Sequence, residues 1–247
     1  MNNLLVTMAI GEAYYSQYKN LFYPSQLNYA KKHNYDFKVI TKRLPNTSIH
    51  SDTISFDKIL LFNQAYSSDY DKIIFIDADI FINPDSPPIH DLVDHNSIGV
   101  IDEWSQPTSE KRISIQSTMN WEKSCTEYYA LAGFDLNTTI GINTGVIVAN
   151  PKLYGSFFQD IHQIYNIHSI NHPRHFHFEQ SAIGYCIQKS NKAQYLDNRF
   201  NAIYAIHKIY NKNLTICEFT KDNYFIHLAG KYEFDKVNQL NKEYKLL

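Results

Sequence analysis

Three cysteines in 247 residues, Cys125, Cys186 and Cys217, are too few and too scattered for a disulfide frame. They are odd in number and lack a CxxC spacing, so they read as reduced core thiols in a cytosolic compartment. An excess of one charge is also missing. Lys+Arg 23 against Asp+Glu 25 gives a net charge of -2, which supplies no electrostatic reason to expect DNA, RNA or an anionic membrane as partner. No apolar stretch approaches the roughly 20 residues that span a bilayer. The N-terminal "MNNLLVTMAIGEAYY" has no basic segment ahead of its short apolar run, so it reads as a first strand and not as a signal peptide. The expectation is a cytoplasmic protein, soluble or peripherally associated. Internal repeats, Gly/Ser-rich linkers and long polar tracts are absent. With 44% apolar and 19% charged residues, that argues against disorder and for a single domain over 1–247.

What is present alternates between strand and helix. "LLVTMAI" (4–10) is an apolar run of strand length that stops at Gly11, and the segment after it carries apolar residues at helical spacing around Pro24. "DFKVIT" (36–41) reads as a strand, "SFDKILLFNQAYSS" (55–68) as a helix, and "YDKIIFIDADIFI" (70–82) as a strand buried on both faces. This βαβαβ order implies right-handed crossovers, a mostly parallel sheet flanked by helices, and ligands at the C-terminal ends of its strands. "SIGVIDEW" (97–104) is a further strand, and 105–136 reads as a loop-rich insertion with one helix. "GINTGVIVAN" (141–150) is a strand entered through a turn, and a helix follows Pro151. A His-rich bend then leads into a helix at "SAIGYCIQKS", and two short apolar runs precede a polar, helical end.

The chemistry concentrates at Asp77 and Asp79. Alternate residues of a strand point the same way, which would place the two carboxylates on one side, about 6–7 Å apart. Two charges at a buried strand end need compensation, because an unpaired buried ion costs several kcal/mol. A hard divalent cation would provide it, since Mg²⁺ and Mn²⁺ take carboxylates together with phosphate oxygens and water. The alternative is that Asp79 caps a turn and Asp77 meets a lysine or arginine.

The motifs "YDKIIFIDADIFINPD", "GINTGVIVANP", "HFEQSAIGY" and "FIHLAGK", in that order, together with the earlier "NYAKKHNYDFKVIT" and "FDKILLF", resemble a GT-A glycosyltransferase. The nearest groups are the glycogenin/galactosyltransferase-like family, glycosyltransferase family 8, and related galactosyl- and mannosyltransferases. The resemblance runs from about residue 3 to 232. It implies a GT-A (Rossmann-like) fold with a nucleotide-binding part over about 1–100 and an acceptor and catalytic part over about 101–247. It also implies Mn²⁺ or Mg²⁺ held by Asp77, Asp79 and His227, bridging the diphosphate of a nucleotide-sugar donor, with a UDP-sugar favoured. The acceptor would be a hydroxyl of a glycan or glycoconjugate.

The same resemblance places Lys58 and Lys231 near the phosphates, although here Lys231 follows Gly230 directly instead of lying three residues beyond it. Thr7, Ala9 and Tyr14 would cradle the nucleotide, and Asn143, Thr144 and Gly145 would approach the sugar. Asp102 would either bind a sugar hydroxyl or cap the next loop. Glu179 and Gln180 would lie beneath the sugar. Glu179 would then be a general base if transfer inverts the anomeric carbon, or a stabiliser of its positive charge if transfer retains configuration, as the nearest families do. His162, His168, His172, His175 and His177 lack an acid or cysteine to complete a zinc set and read as solvated or acceptor-facing loop residues. Two rivals stand beside this reading. A phosphatase of the haloacid-dehalogenase type also carries DxD, but on its first strand and followed by a small Gly-Thr pair. A non-catalytic carbohydrate-binding protein would keep the fold without the chemistry.

Overall fold

The computed structural model of the chain describes residues 2–45, 47–231 and 233–246; the side chains of Phe176 and Lys231 lie outside the description. A six-stranded sheet runs β2 (Asp36–Ile40), β1 (Asn3–Met8), β3 (Lys72–Ile76), β6 (Ile142–Ala149), β5 (Ile98–Asp102), β7 (Ala193–Tyr195). β1 is parallel to β2 and β3, and β5 is parallel to β7; β6 is antiparallel to both its neighbours, β3 and β5. A smaller sheet pairs β9 (Phe225–His227) with β4 (Ile80–Ile82) antiparallel and with β8 (Ala202–Ile203) parallel. The architecture is α/β with a mixed, mostly parallel central sheet flanked by helices.

Alternation along the strands divides the core into two layers. Leu4, Val6, Ile73, Phe75 and Ile147 pack on one face with Phe62, Phe158 and Ile183, while Leu5, Ile74, Ile76, Val146 and Val148 pack on the other with Tyr29 and Phe225. Strands that carry apolar residues at every position are therefore sandwiched between helical layers.

Local chemistry fixes several boundaries. The region around Pro24 forms two helices, Glu12–Leu21 and Tyr23–Lys32, because proline is tolerated only in a first turn and restarts the chain there. Asn150 accepts from the Lys152 N–H (2.9 Å) and so caps the helix Pro151–Tyr165. Residues 105–136 hold two helices, Ser109–Met119 and Cys125–Leu131, capped by Thr108 and Ser124, not the one expected. The segment 55–68 is not one helix either. It winds through short 3-10 turns around the four helical residues Asp57–Leu60. There Asp57 is bound by Arg43 (2.6 Å) and approached by His162 (3.5 Å), contacts that tie these turns to the chain around them. All three cysteines carry free thiols, with Cys125 buried. Among the described residues, no helix is long and apolar enough to cross a membrane.

The turn into β6 is tightly filled. A Cβ at Gly141 would fall 2.7 Å from Trp104 Nε1 and overlap Cδ1 of the same ring, and Trp104 is buried. Gly141→Ala is expected to cost about 1–3 kcal/mol by overpacking. In a thermal melt this reads as a midpoint several degrees lower; an unchanged midpoint would mean that the indole moves aside freely.

Candidate active site

The stretch 70–82 is not a single strand. β3 ends at Ile76 and β4 begins at Ile80 in the other sheet, so Asp77–Ala78–Asp79 is the turn where the chain changes sheets. The Ile80 N–H donates to the Asp77 carbonyl (3.2 Å), the Asp77 N–H to the Gly145 carbonyl (2.8 Å), and the Leu228 N–H to the Asp79 carbonyl (3.0 Å). The acids thus converge because a turn brings them together, not by strand alternation. β4 pairs with β9 so that Ile80 lies opposite His227, which delivers the imidazole to the same place.

Donor atoms of Asp77, Asp79 and His227 lie within 4.8 Å of one another. His227 Nε2 is 3.9 Å from Asp77 Oδ2 and 3.4 Å from Asp79 Oδ1. Burial alone would lower His227 and raise Asp79; instead each holds the other's charge, His227 shifted up and Asp79 down. Two carboxylate oxygens and one imidazole nitrogen suit a hard to borderline divalent ion such as Mn²⁺ or Mg²⁺. The His227 ring is also held from behind, with Nδ1 2.8 Å from Asn201 Oδ1, as is usual for a metal-binding histidine. These residues fit a cation.

The cluster opens into a cavity of about 500 Å³, a size ordinary for small-molecule sites. Its walls include Tyr14, Lys58, Asp77, Asp79, Asn143, Thr144, Glu179, Gln180, His227 and Gly230. Met8, Ile10, Ile54, Ser55, Phe75, Ala78 and Ala229 complete it and were not singled out from the sequence. Lys58 is buried in the cavity wall. It is 7% exposed, with Nζ 3.3 Å from Asp77 Oδ1, 3.5 Å from Glu179 Oε1 and 3.3 Å from Thr144 Oγ1. Burial would lower its pKa, but Asp77 and Glu179 raise it. Burial also pushes the Glu179 carboxyl up to about 7, against the pull of Lys58.

Glu179 lies in the first turn, and Gln180 follows it, in a helix that starts at Phe176, earlier than the expected "SAIGYCIQKS". Glu179 Oε1 accepts from the Thr144 hydroxyl (3.0 Å), and Gln180 Oε1 accepts from Asn143 Nδ2 (3.1 Å). Gly145 sits against Asp77 and His227 with no room for a side chain. Burial, then the charges of Asp79 and Asp77, raises the Tyr14 phenol above its ordinary value, so Tyr14 stays neutral.

Three expected donor contacts lie elsewhere. Thr7 and Ala9 are fully buried and absent from the cavity wall, Ala9 donating its N–H to the Ile40 carbonyl (2.8 Å). Asp102 caps the following turn, accepting from the backbone N–H groups of Trp104 and Gly141, each at 3.0 Å, and faces a second, separate depression with Tyr195 and Asp197. The side chain of Lys231 is outside the described residues. The next acid, Glu103, is buried behind the wall, where its Oε2 accepts from Asn143 Nδ2 at 2.8 Å. Among the histidines, His162 is buried, packed on Phe56 and paired with Asp57, and His172 stacks on Phe178; neither is a solvated loop residue.

The family model described as "Glycosyl transferase family 8" matches residues 4–233. Among solved structures, the chain is similar to a glycosyltransferase involved in glycosylation of the major capsid of PBCV-1, with TM-score 0.62 and 14% identity, covering 98% of this chain and 100% of that one. It is also similar to the galactosyltransferase LgtC in complex with donor and acceptor sugar analogs, with TM-score 0.59 and 12% identity over 97% and 95% of the two chains. The bifunctional glycosyltransferase WbbM matches with TM-score 0.55 and 12% identity, over 97% of this chain and 49% of that one. At these identities the likeness is one of fold. No curated protein matches by sequence.

Proposed function

The chain belongs to glycosyltransferase family 8, and from that premise we propose that it is a metal-dependent hexosyltransferase, moving a hexose from a nucleotide-diphosphate sugar, a UDP-sugar by preference, to a hydroxyl of a glycan or glycoconjugate. The observation that carries this reading is the convergence of Asp77, Asp79 and His227 in one cavity with Glu179, Gln180 and Asn143. A simple phosphatase has no use for the second set, and the family match leaves the dehalogenase-type alternative without support.

Asp77, Asp79 and His227 would hold Mn²⁺ or Mg²⁺. The ion, when bound, supplies Lewis-acid stabilisation of the charge that builds on the departing diphosphate, worth several kcal/mol. The chain's own groups do the rest. The Lys58 ammonium lies between Asp77 and Glu179, and so reaches both the diphosphate side and the sugar side of the bond to be broken. Neutral Tyr14, with Ile10 and Met8, offers an apolar and hydrogen-bonding wall for the base. Gln180, oriented by Asn143 and Tyr128, keeps one N–H and one lone pair for sugar hydroxyls, and Asn143, with both donors and both acceptor sites taken, holds it in place. The Glu179 carboxylate, half ionised near pH 7 and fully so above it, is fixed by Thr144 and faces the positive charge that develops at the anomeric carbon. Gly230, at φ 75°, lets the chain turn beside the ion site without a side chain in the way.

Donor hydrolysis tests the reading. UDP-, GDP- and dTDP-hexoses are each incubated with the protein and Mn²⁺, with and without chelator. The expected result is chelator-sensitive release of a nucleoside diphosphate, fastest from a UDP-sugar, with Asp79→Asn weakening the apparent Mn²⁺ affinity at least about tenfold. Metal-independent release of inorganic phosphate from simple esters would overturn it, and sugar binding without turnover would favour a carbohydrate-binding protein.

A further inference from the structure

A chain of hydrogen bonds runs from Gln180 through Asn143 and Asn201 to the back of the Asp77–Asp79–His227 cluster, and its direction can be read from one end. The Gly145 backbone N–H can only donate, and it does so to Asn143 Oδ1 at 2.9 Å. Asn143 Nδ2 therefore faces the other way, toward Glu103 Oε2 (2.8 Å) and Gln180 Oε1 (3.1 Å). Asn143 Oδ1 takes a second hydrogen bond from Asn201 at 2.7 Å, and the atom that gives it must be Nδ2. The opposite atom of that amide, Oδ1, then stands 2.8 Å from His227 Nδ1. An amide oxygen accepts only, so Nδ1 carries the hydrogen. The imidazole is left with Nε2 turned toward Asp77 and Asp79. Asn201 is fully buried, so its amide has no water to satisfy it in any other orientation.

We propose that Asn201 is a positioning residue: it keeps the hydrogen on His227 Nδ1 and turns Nε2 toward the cation site as the nitrogen that can bind an ion, and it couples that site to the Asn143–Gln180 pair. The inference rests on the reading that a divalent ion sits between Asp77, Asp79 and His227. Asn201 itself touches neither ion nor sugar; it fixes the ring rotation and holds the hydrogen on Nδ1, so that Nε2 is the nitrogen that gives up its proton when an ion binds. The other end is anchored as well, because Gln180 Oε1 is taken by Asn143 while Gln180 Nε2 donates to the Tyr128 hydroxyl at 3.2 Å. The Asn143 and Gln180 amides thus have their polarity set by the same chain of bonds, and Gln180 keeps one N–H and one lone pair free of it.

Mn²⁺ alone, titrated into the nucleotide-free protein and followed by loss of the free-ion electron paramagnetic resonance signal, is the probe. Asn201→Ala removes the acceptor and is expected to weaken Mn²⁺ binding about 10- to 100-fold. Asn201→Asp keeps an acceptor for Nδ1 but cannot donate to Asn143. It is expected to hold Mn²⁺ within about threefold of wild type while raising KM for the sugar nucleotide. A merely structural residue would not separate the two variants in this way, so equal weakening by both, or no weakening by either, overturns the inference. A second measurement needs no variant: in the wild-type protein loaded with diamagnetic Mg²⁺, the ring ¹⁵N signals of His227 should show the proton on Nδ1, and a proton on Nε2 overturns the proposal. Failure of the wild type to bind Mn²⁺ at all overturns the cation reading, and this inference with it; intact wild-type binding with an indifferent Asn201→Ala overturns this inference alone.

Discussion

Gly145→Ala is expected to abolish most of the activity while leaving the protein folded. A Cβ at this position would sit 2.8 Å from His227 Cε1, 2.9 Å from Asn143 Oδ1 and 3.0 Å from Asp77 Oδ2. None of the three can retreat freely. His227 is tied to Asn201, Asn143 is bonded to Gly145 N–H, Glu103 and Asn201, and the Asp77 N–H is fastened to the carbonyl of Gly145 itself. The methyl must therefore displace side-chain atoms by some tenths of an ångström, in the place where Asp77, His227 and Asn143 meet. Misplacement on that scale is expected to lower turnover by about 10²-fold, together with a loss in Mn²⁺ affinity. The stability cost should stay near the overpacking range of about 1–3 kcal/mol. The measurement is kcat for donor hydrolysis beside a thermal melt. Wild-type kcat in a folded variant would mean that the cluster is loose and the site is not the one described.

Gly145 also marks where sequence reading succeeds and where it stops. The strands were legible because their burial is written as uninterrupted apolar residues: "IIFI" and "GVIVA" are covered on both faces, and such runs have few other solutions. The acids at the end of "IIFI" were legible as a pair, yet their geometry was not, because the switch from one sheet to another at Ala78 leaves no trace in the hydrophobic pattern. The segment 55–68 misled for a related reason. Its apolar spacing is helical, but it winds through short turns that buried Asp57 ties to Arg43 and His162, and ion pairs across the chain are invisible to periodicity. Asp102 and Glu103 are adjacent, and one residue of register decides which of them meets Asn143; the bulge between Gly99 and Ile101 sits just upstream. Asn201, a single polar residue at the edge of "FNAIYAI", carries no local signal at all. Its position follows only from tertiary hydrogen bonds.

Glu179→Gln should produce the largest loss in the chemical step, and it should do so in a pH-dependent way. Burial, reinforced by the charge of Asp77 and opposed by Lys58 and the Thr144 hydroxyl, moves this carboxyl from 4.5 up to about 7. If the ionised form faces the developing positive charge of the sugar, kcat/KM for donor hydrolysis should rise with pH through about 7 and level off above it, reporting the free enzyme. The amide keeps the shape and the bond to Thr144 but cannot ionise. Turnover should fall about 10²- to 10⁴-fold, and the residual rate should lose that step in its pH profile. Stability should move the other way. A carboxyl whose folded-state pKa lies above its unfolded value binds its proton more tightly in the native protein, so its stabilising contribution is present below pH 4.5 and is lost as pH rises toward about 7. Above that range wild type carries a buried charge that the glutamine lacks. The melting temperature of Glu179→Gln relative to wild type should therefore be higher at pH 8 than at pH 4.5. A difference that does not change between those two pH values would show that Glu179 titrates like an ordinary surface acid, and a carboxylate so exposed to water would have no reason to be the group beneath the sugar.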